Sequence, residues 1–213
     1  MTNVADEKAA PFQVGIHCKP PHFAGRHEET DAQGEEIYRM KIQFINATLG
    51  GDFSALDIAI TALATYLNER TCHSATISDL TFHRKDWKRH LAKNIEADKP
   101  DMLGISANTL YMQYIKMVVN EIKTNYAIPV VLGGYHASIH PDDTIGLNGV
   151  DYVCIGDGEY VLAELLDRYS QGKSMEGLTG LWAKENGRIL KNPAGSFIED
   201  LDSLPAPDYD LWE

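Results

Sequence analysis

From residue 41 onward the apolar positions switch repeatedly between a two-residue and a 3.6-residue period, which predicts strands alternating with helices. Residues 41–46 (KIQFIN) read as a strand, followed by a glycine-containing loop over 47–52. Ser54 is a suitable N-cap for a helix over 55–69, where Ile58, Ala59, Ala62, Leu63, Tyr66 and Leu67 recur at helical spacing. Residues 74–80 read as a second strand and 86–96 as a short amphipathic helix. The run DMLGIS at 101–106 is nearly all apolar, as expected of a central strand covered on both faces. A long helix follows over 109–125, with Tyr111, Ile115, Val118, Val119 and Ile122 on one face. Residues 129–132 and 151–155 are a fourth and a fifth strand, ending at Gly133-Gly134 and at Gly156. A last helix covers 160–169.

This alternation predicts an α/β fold: a five-stranded parallel sheet of the flavodoxin-like, Rossmann-like kind, in the order 2-1-3-4-5, with right-handed crossovers and helices on both faces. Ligands of such sheets sit outside the carboxyl ends of the strands, where the strand order reverses. The loops at 46–52, 106–109, 133–140 and 156–159 are therefore the expected site. After Gly172 the pattern changes. Residues 180–184 and 188–191 flank Glu185-Asn186-Gly187, and Asn-Gly favours a tight β-hairpin turn. The expected organisation is an extended N-terminal arm over 1–40, an α/β domain over 41–172, and a hairpin with a linker over 173–213. Pro193, Pro205 and Pro207, and an acidic end without Lys or Arg, suggest the linker.

Composition narrows the partners. Nineteen Lys and Arg face 31 Asp and Glu, a formal charge of −12, which disfavours phosphate backbones and anionic membrane surfaces. No apolar stretch approaches the roughly 20 residues of a membrane span. Nucleic acid and membrane are therefore not expected partners. The three cysteines, Cys18, Cys72 and Cys154, lie far apart. They form no cluster-binding spacing and no disulfide framework, so a cytoplasmic location is expected.

Four segments could carry chemistry. Gly133-Gly134-Tyr135-His136 follows a buried strand, and its glycines allow a bulky ligand to approach the backbone; a ligand-free tight turn is the alternative. Gly156-Asp157-Gly158-Glu159 brings backbone N–H groups to a helix start, or simply caps that helix. Asn46-Ala47-Thr48-Leu49-Gly50-Gly51 follows the first strand but matches no Walker loop. The arm holds His17, Cys18, His22 and His27, weak metal candidates whose spacing fits no strong motif. No catalytic triad stands out. His73, His83 and His90 are expected on solvated surfaces, and Cys154 is expected to be an inert core residue.

These segments together resemble a known family. Pro129-Val130-Val131-Leu132-Gly133-Gly134-Tyr135-His136-Ala137-Ser138, with Pro141-Asp142-Asp143, resembles the VVxGGxHxxxxPEE segment of the cobalamin-binding domains fused ahead of radical S-adenosylmethionine enzymes. Val150-Asp151-Tyr152-Val153-Cys154-Ile155-Gly156-Asp157-Gly158-Glu159 is similar to their VDYVVxGEGE segment, with Asp157 in place of Glu. Gly180-Leu181-Trp182 and Asn186-Gly187-Arg188-Ile189 resemble the hairpin that follows. The segment from Asp200 to Tyr209 resembles the LDxLPxPDY linker leading into a catalytic barrel.

The resemblance implies a cobalamin whose nucleotide tail slots into the carboxyl edge of the sheet. Gly133, Gly134, Gly156, Gly158 and Glu159 would line the tail pocket, with Tyr135, His136 and Asp157 beside them. Ser106, Ala107, Asn108 and Thr109 would flank the tail or the lower face of the corrin, as would Asn46, Ala47, Thr48, Leu49 and Gly51. Corrinoid proteins of the methionine-synthase type carry Asp-x-His-x-x-Gly at 46–51, with the His on cobalt. Thr48 stands at the His position, and imidazole is much the better cobalt ligand. The implied state is base-off cobalamin without a protein His. The CxxxCxxC motif that holds the [4Fe–4S] cluster is absent, so the chain is not expected to cleave S-adenosylmethionine alone. Cluster and S-adenosylmethionine would belong to a partner radical S-adenosylmethionine domain or subunit. Two alternatives remain open: a cofactor-free scaffold or sensor acting through protein contacts, and a flavin-binding protein, which the lack of a Ser/Thr-rich phosphate cradle disfavours.

Overall fold

A computed structural model describes residues 28–30, 36–49 and 56–212. Within the first forty residues, Glu28–Thr30 (β1) and Glu36–Tyr38 (β2) pair antiparallel as a separate two-stranded ribbon. The domain proper then runs as strand Lys41–Asn46 (β3), helix Ile58–Arg70 (α1), strand Ser74–Asp79 (β4), helix Trp87–Asp98 (α2) and strand Met102–Ser106 (β5). It continues with helix Met112–Asn125 (α3), strand Val130–Gly133 (β6), short helices Gly134–Ile139 (α4) and Pro141–Gly146 (α5), strand Tyr152–Cys154 (β7) and helix Glu159–Ser170 (α6). A hairpin, Leu181–Glu185 (β8) and Arg188–Lys191 (β9), closes it.

The sheet order is β4-β3-β5-β6-β7-β8-β9. Its first five members are parallel, in the order expected for a flavodoxin-like sheet. The hairpin is not a separate appendage: β8 pairs antiparallel with β7, and β9 with β8, so the sheet has seven strands. Asn186 and Gly187, both at positive φ, make its turn.

Each strand splits its side chains between two cores, as the two-residue period requires. Phe44, Met102, Val131, Tyr152 and Cys154 pack with α1 and α6. Ile45, Leu103, Ile105, Val130, Leu132 and Val153 pack with α2 and α3 on the other face. Burying both faces is what makes β5 read as a continuous apolar run.

Four local expectations change. Helix α1 starts at Ile58, not at residue 55, because the Asp57 carboxylate caps it by accepting from Ala59 and Ile60 N–H; Ser54 lies outside the described residues. The segment 134–139, expected as loop, is the helix α4. His73 is not on a solvated surface: it is buried and bonded to Asp167. The tail from residue 192, expected as a linker, packs back on α1, where Thr65 Oγ1 accepts from Asp208 N and Thr61 Oγ1 from Trp212 Nε1, each at 2.8 Å. No described helix is long and apolar enough to cross a membrane.

Candidate cofactor cleft

The carboxyl ends of β3, β5, β6 and β7 open onto two neighbouring hollows. The first is a slot of about 150 Å³ between α1 and α6. Its floor and walls are apolar, from Phe44, Ile60, Leu63, Val131, Cys154 and Leu162, and its rim is the run Gly156–Glu159. The second is a wider cleft of about 400 Å³ over the ends of β3 and β5, lined by Asn46, Ala47, Thr48, Asn108, Tyr111 and Tyr135 among others. Ala59, Ser106 and Gly134 line both hollows, so the two lie side by side at the carboxyl edge of the sheet.

The glycines make this opening. Gly134 has φ +85°, and a Cβ there would stand 3.0 Å from Ser106 Oγ and 3.1 Å from Ala107 N, so a side chain would force the two loops apart. Gly156 has φ +86° with open space where its Cβ would be, which leaves its backbone accessible at the rim. The loops are then bolted together. Ala107 N donates to Gly133 O, His136 N to Ala107 O, and Gly156 N to Ser138 Oγ, which itself donates to Gly134 O. Ser138 thus joins the two glycine loops, a role that no spacing in the sequence reveals.

The GDGE run divides its labour. The Asp157 carboxylate accepts from Ile198 N at 2.8 Å, holding the returning tail beside the slot. Gly158 is buried at the start of α6. Glu159 sits at the same helix start. Burial raises its pKa, as does the Asp157 charge, against the lowering effect of the backbone N–H groups of Glu159 and Gly158. At the far end of the cleft, Thr48 Oγ1 donates to Asn46 Oδ1 at 2.7 Å.

The residues expected at the site divide into three groups. Asn46, Ala47, Thr48, Ser106, Ala107, Asn108, Gly133, Gly134, Tyr135, Gly156, Asp157, Gly158 and Glu159 line one or both hollows. Leu49, Thr109 and His136 do not. Leu49 is buried in the α2–α3 core, whereas Thr109 Oγ1 and His136 Nδ1 lie 3.0 Å apart in a hydrogen bond beside the cleft. Gly51 lies outside the described residues, as do His17, Cys18, His22 and His27. Sequence reasoning missed the apolar half of the slot, Phe44, Leu63, Gly104 and Leu162, because such residues read only as core. Cys154 is buried as expected, which pushes its thiol up to about 12, and it contributes to the slot wall.

The two hollows suit a ligand with an apolar part and a polar part. The slot is apolar inside and presents glycine backbone and carboxylates at its mouth; the wider cleft offers polar side chains beneath an open space. Among the described residues neither hollow is lined by an imidazole.

Comparisons with known proteins agree. Residues 42–166 match the B12 binding domain family. The chain is 36% identical over 135 residues to an uncharacterized methyltransferase, PH0819, of Pyrococcus horikoshii, a match covering 62% of this chain and 28% of that protein. Its fold is similar to that of the radical S-adenosylmethionine methyltransferase TsrM from Kitasatospora setae, solved with cobalamin and a [4Fe–4S] cluster (TM-score 0.65, 24% identity, 79% of this chain, 32% of that one). It is likewise similar to the cobalamin-dependent S-adenosylmethionine radical enzyme OxsB, solved with aqua-cobalamin and S-adenosylmethionine (TM-score 0.66, 17% identity, 85% of this chain, 28% of that one). The chain therefore spans about a third or less of the length of these relatives. The family match spans most of the α/β domain, and the fold agrees with it: the chain belongs to the B12 binding domain family.

Proposed function

We propose that this chain binds cobalamin base-off, with the nucleotide tail in the α1–α6 slot and the corrin over the wider cleft, and that it serves as the cofactor module of a radical S-adenosylmethionine enzyme. The observation that carries the reading is the pairing of an apolar slot with a more polar cleft at the carboxyl edge of the sheet, the two sharing Ala59, Ser106 and Gly134 as lining. A base held in the slot cannot also ligate cobalt. Beneath the cleft Thr48 stands where a ligating His would, and residues 50–55 contain no His.

Cobalamin, when bound, supplies a cobalt centre able to carry a methyl group. The chain's own residues bind and orient it. Glycine backbone at 133, 134 and 156 admits the tail, the apolar walls exclude water from it, and Glu159 and Ser106 offer polar contacts to its linkage. The binding unit is residues 41–172, with the hairpin and returning tail closing one side. The catalytic partner, a domain or subunit holding the [4Fe–4S] cluster and S-adenosylmethionine, covers the open cleft. Leu56, Leu110 and Tyr135 at this edge are 45%, 79% and 70% exposed, an apolar rim suited to such a partner. Both described cysteines are free thiols, which suits the cytoplasm.

Titration with hydroxocobalamin, followed by visible absorbance and gel filtration, tests the reading. The protein is expected to elute coloured near one equivalent, and its cob(II)alamin spectrum to lack nitrogen hyperfine splitting from a lower ligand. Colourless elution from excess cofactor would sink the binding claim and favour a cofactor-free scaffold; clear splitting would sink the absence of a nitrogen ligand.

A further inference from the structure

We propose that Asp79, outside the cleft, is a positioning residue that fixes the Thr48 hydroxyl as a hydrogen-bond acceptor toward the lower face of the cofactor. The proposal rests on the cobalamin reading above and deepens it.

Asp79 Oδ1 accepts from Thr81 N at 3.0 Å, from Thr81 Oγ1 at 2.7 Å and from Asn46 Nδ2 at 3.0 Å. Thr81 Oγ1 has given its proton to Asp79, so its lone pair is free to accept the second Asn46 Nδ2 proton, at 3.1 Å. The Asn46 side chain is buried, and its amide is held against turning over: a flip would set its Oδ1 3.0 Å from the Asp79 carboxylate oxygen, acceptor against acceptor. Asn46 Oδ1 must therefore face Thr48, and Thr48 must donate to it, at 2.7 Å. A hydroxyl has one proton. With that proton committed to Asn46, the Thr48 oxygen offers only lone pairs to the cleft that it lines.

The group met by Thr48 is therefore an N–H or O–H donor. Two sources carry that chemistry, a side-chain amide of the corrin and a water held beneath it. A hydroxyl in this state also lacks the negative charge and the imidazole basicity of a strong cobalt ligand. Its work is to orient a donor.

The test compares hydroxocobalamin affinity in Thr48→Val, which keeps the shape and removes the acceptor, and Thr48→Ser, which restores it. Thr48→Val is expected to weaken binding about tenfold, the worth of one buried hydrogen bond with its acceptor removed, and Thr48→Ser to bind as the unaltered chain does. Asp79→Ala is expected to weaken binding in the unaltered chain but to add nothing in a Thr48→Val background, since its effect passes through that hydroxyl. Circular dichroism checks folding; should Asp79→Ala not fold, Asp79→Ser, which can donate as well as accept, replaces it. Magnetic resonance of bound cob(II)alamin in water enriched with a magnetic oxygen isotope separates the sources. An oxygen coupling lost in Thr48→Val assigns the donor to water; a binding loss without any coupling assigns it to a corrin amide. Unchanged affinity in Thr48→Val, or an Asp79 effect of the same size in both backgrounds, overturns the proposal. Failure of the unaltered chain to bind would instead overturn the cobalamin reading.

Discussion

His73 Nε2 lies 3.1 Å from Asp167 Oδ1, joining the residue before β4 to the last turn of α6 across the buried α1–α6 face. On the other side of the ring, Met40 N lies 3.2 Å from Nδ1 and Cys72 Sγ 3.8 Å. Burial disfavours a charged imidazole, but the hydrogen bonds to Asp167 and Cys72 outweigh it and hold His73 at about 9. Met40 N–H occupies the Nδ1 lone pair, which favours the neutral ring with its proton on Nε2 toward Asp167. Charging the ring gives up the Met40 bond and strengthens the one to Asp167.

A pH dependence of stability follows. A His raised from 6.5 to about 9 on folding stabilises the protein fully below pH 6.5, and loses that contribution as pH rises through 9. The contribution is on the order of 2 kcal/mol after allowance for the partly exposed Asp167. Thermal melts between pH 6 and 10 should show a declining melting temperature. Asp167→Asn, which keeps the shape and removes the charge, should flatten that decline; an equal slope in both proteins would refute the pairing.

Glu159 carries the opposite expectation. Its carboxyl is raised, first by burial and then by Asp157, so the charged form opposes folding at neutral pH. Glu159→Gln should melt higher than the unaltered protein at pH 7. The gap should close as pH falls through the raised pKa toward the ordinary carboxyl value of 4.5, where both side chains are neutral. If Glu159 also contacts the cofactor's linkage, as proposed, the same variant should bind hydroxocobalamin less tightly while being more stable. Loss or gain of both together would separate the residue from that role.

Gly104 tests the slot without touching its rim. A Cβ there would stand 2.6 Å from Phe44 Cδ1 and 3.3 Å from Ile42 Cδ1, and Phe44 and Gly104 both line the slot. Gly104→Ala must displace the Phe44 ring. Overpacking of this kind costs about 1–3 kcal/mol, a drop of a few degrees for each kcal/mol in a protein of this size. Hydroxocobalamin affinity should fall at least tenfold, and more than for a substitution of similar cost in the α2–α3 core, such as Val119→Ala. Equal affinities in the two variants would place the tail elsewhere.

The returning tail is a fourth subject. Trp212 Nε1 donates to Thr61 Oγ1, whose own proton goes to Asp57 O, the N-cap residue of α1. Trp212→Phe keeps much of the packing and removes the donor. It should cost about 1 kcal/mol, seen as a small fall in melting temperature, with cofactor affinity unchanged. No loss of stability would show that the Trp212–Thr61 hydrogen bond contributes nothing to the domain.

The alternation of periods from residue 41 was enough to predict five parallel strands with their helices, because a strand buried on both faces and a helix buried on one leave different marks on the chain. The order of those five came from the fold class that such alternation suits, and the pairing of the hairpin onto β7 was not legible. The glycine loops were legible for a related reason. Gly134 and Gly156 need positive φ, and a backbone requirement fixes the residue type locally. Three things were decided only in three dimensions. The apolar slot is made of Phe44, Gly104, Leu63 and Leu162, which come from separate elements and are chemically no different from core residues. His73 is buried and finds its carboxylate partner in Asp167, 94 positions away. The polarity of Thr48 is set through Asn46 by Asp79 on the neighbouring strand. A periodic pattern records which face of its own element a residue occupies. Which partner waits on that face, and which atom gives the proton, is a property of the packed sheet alone.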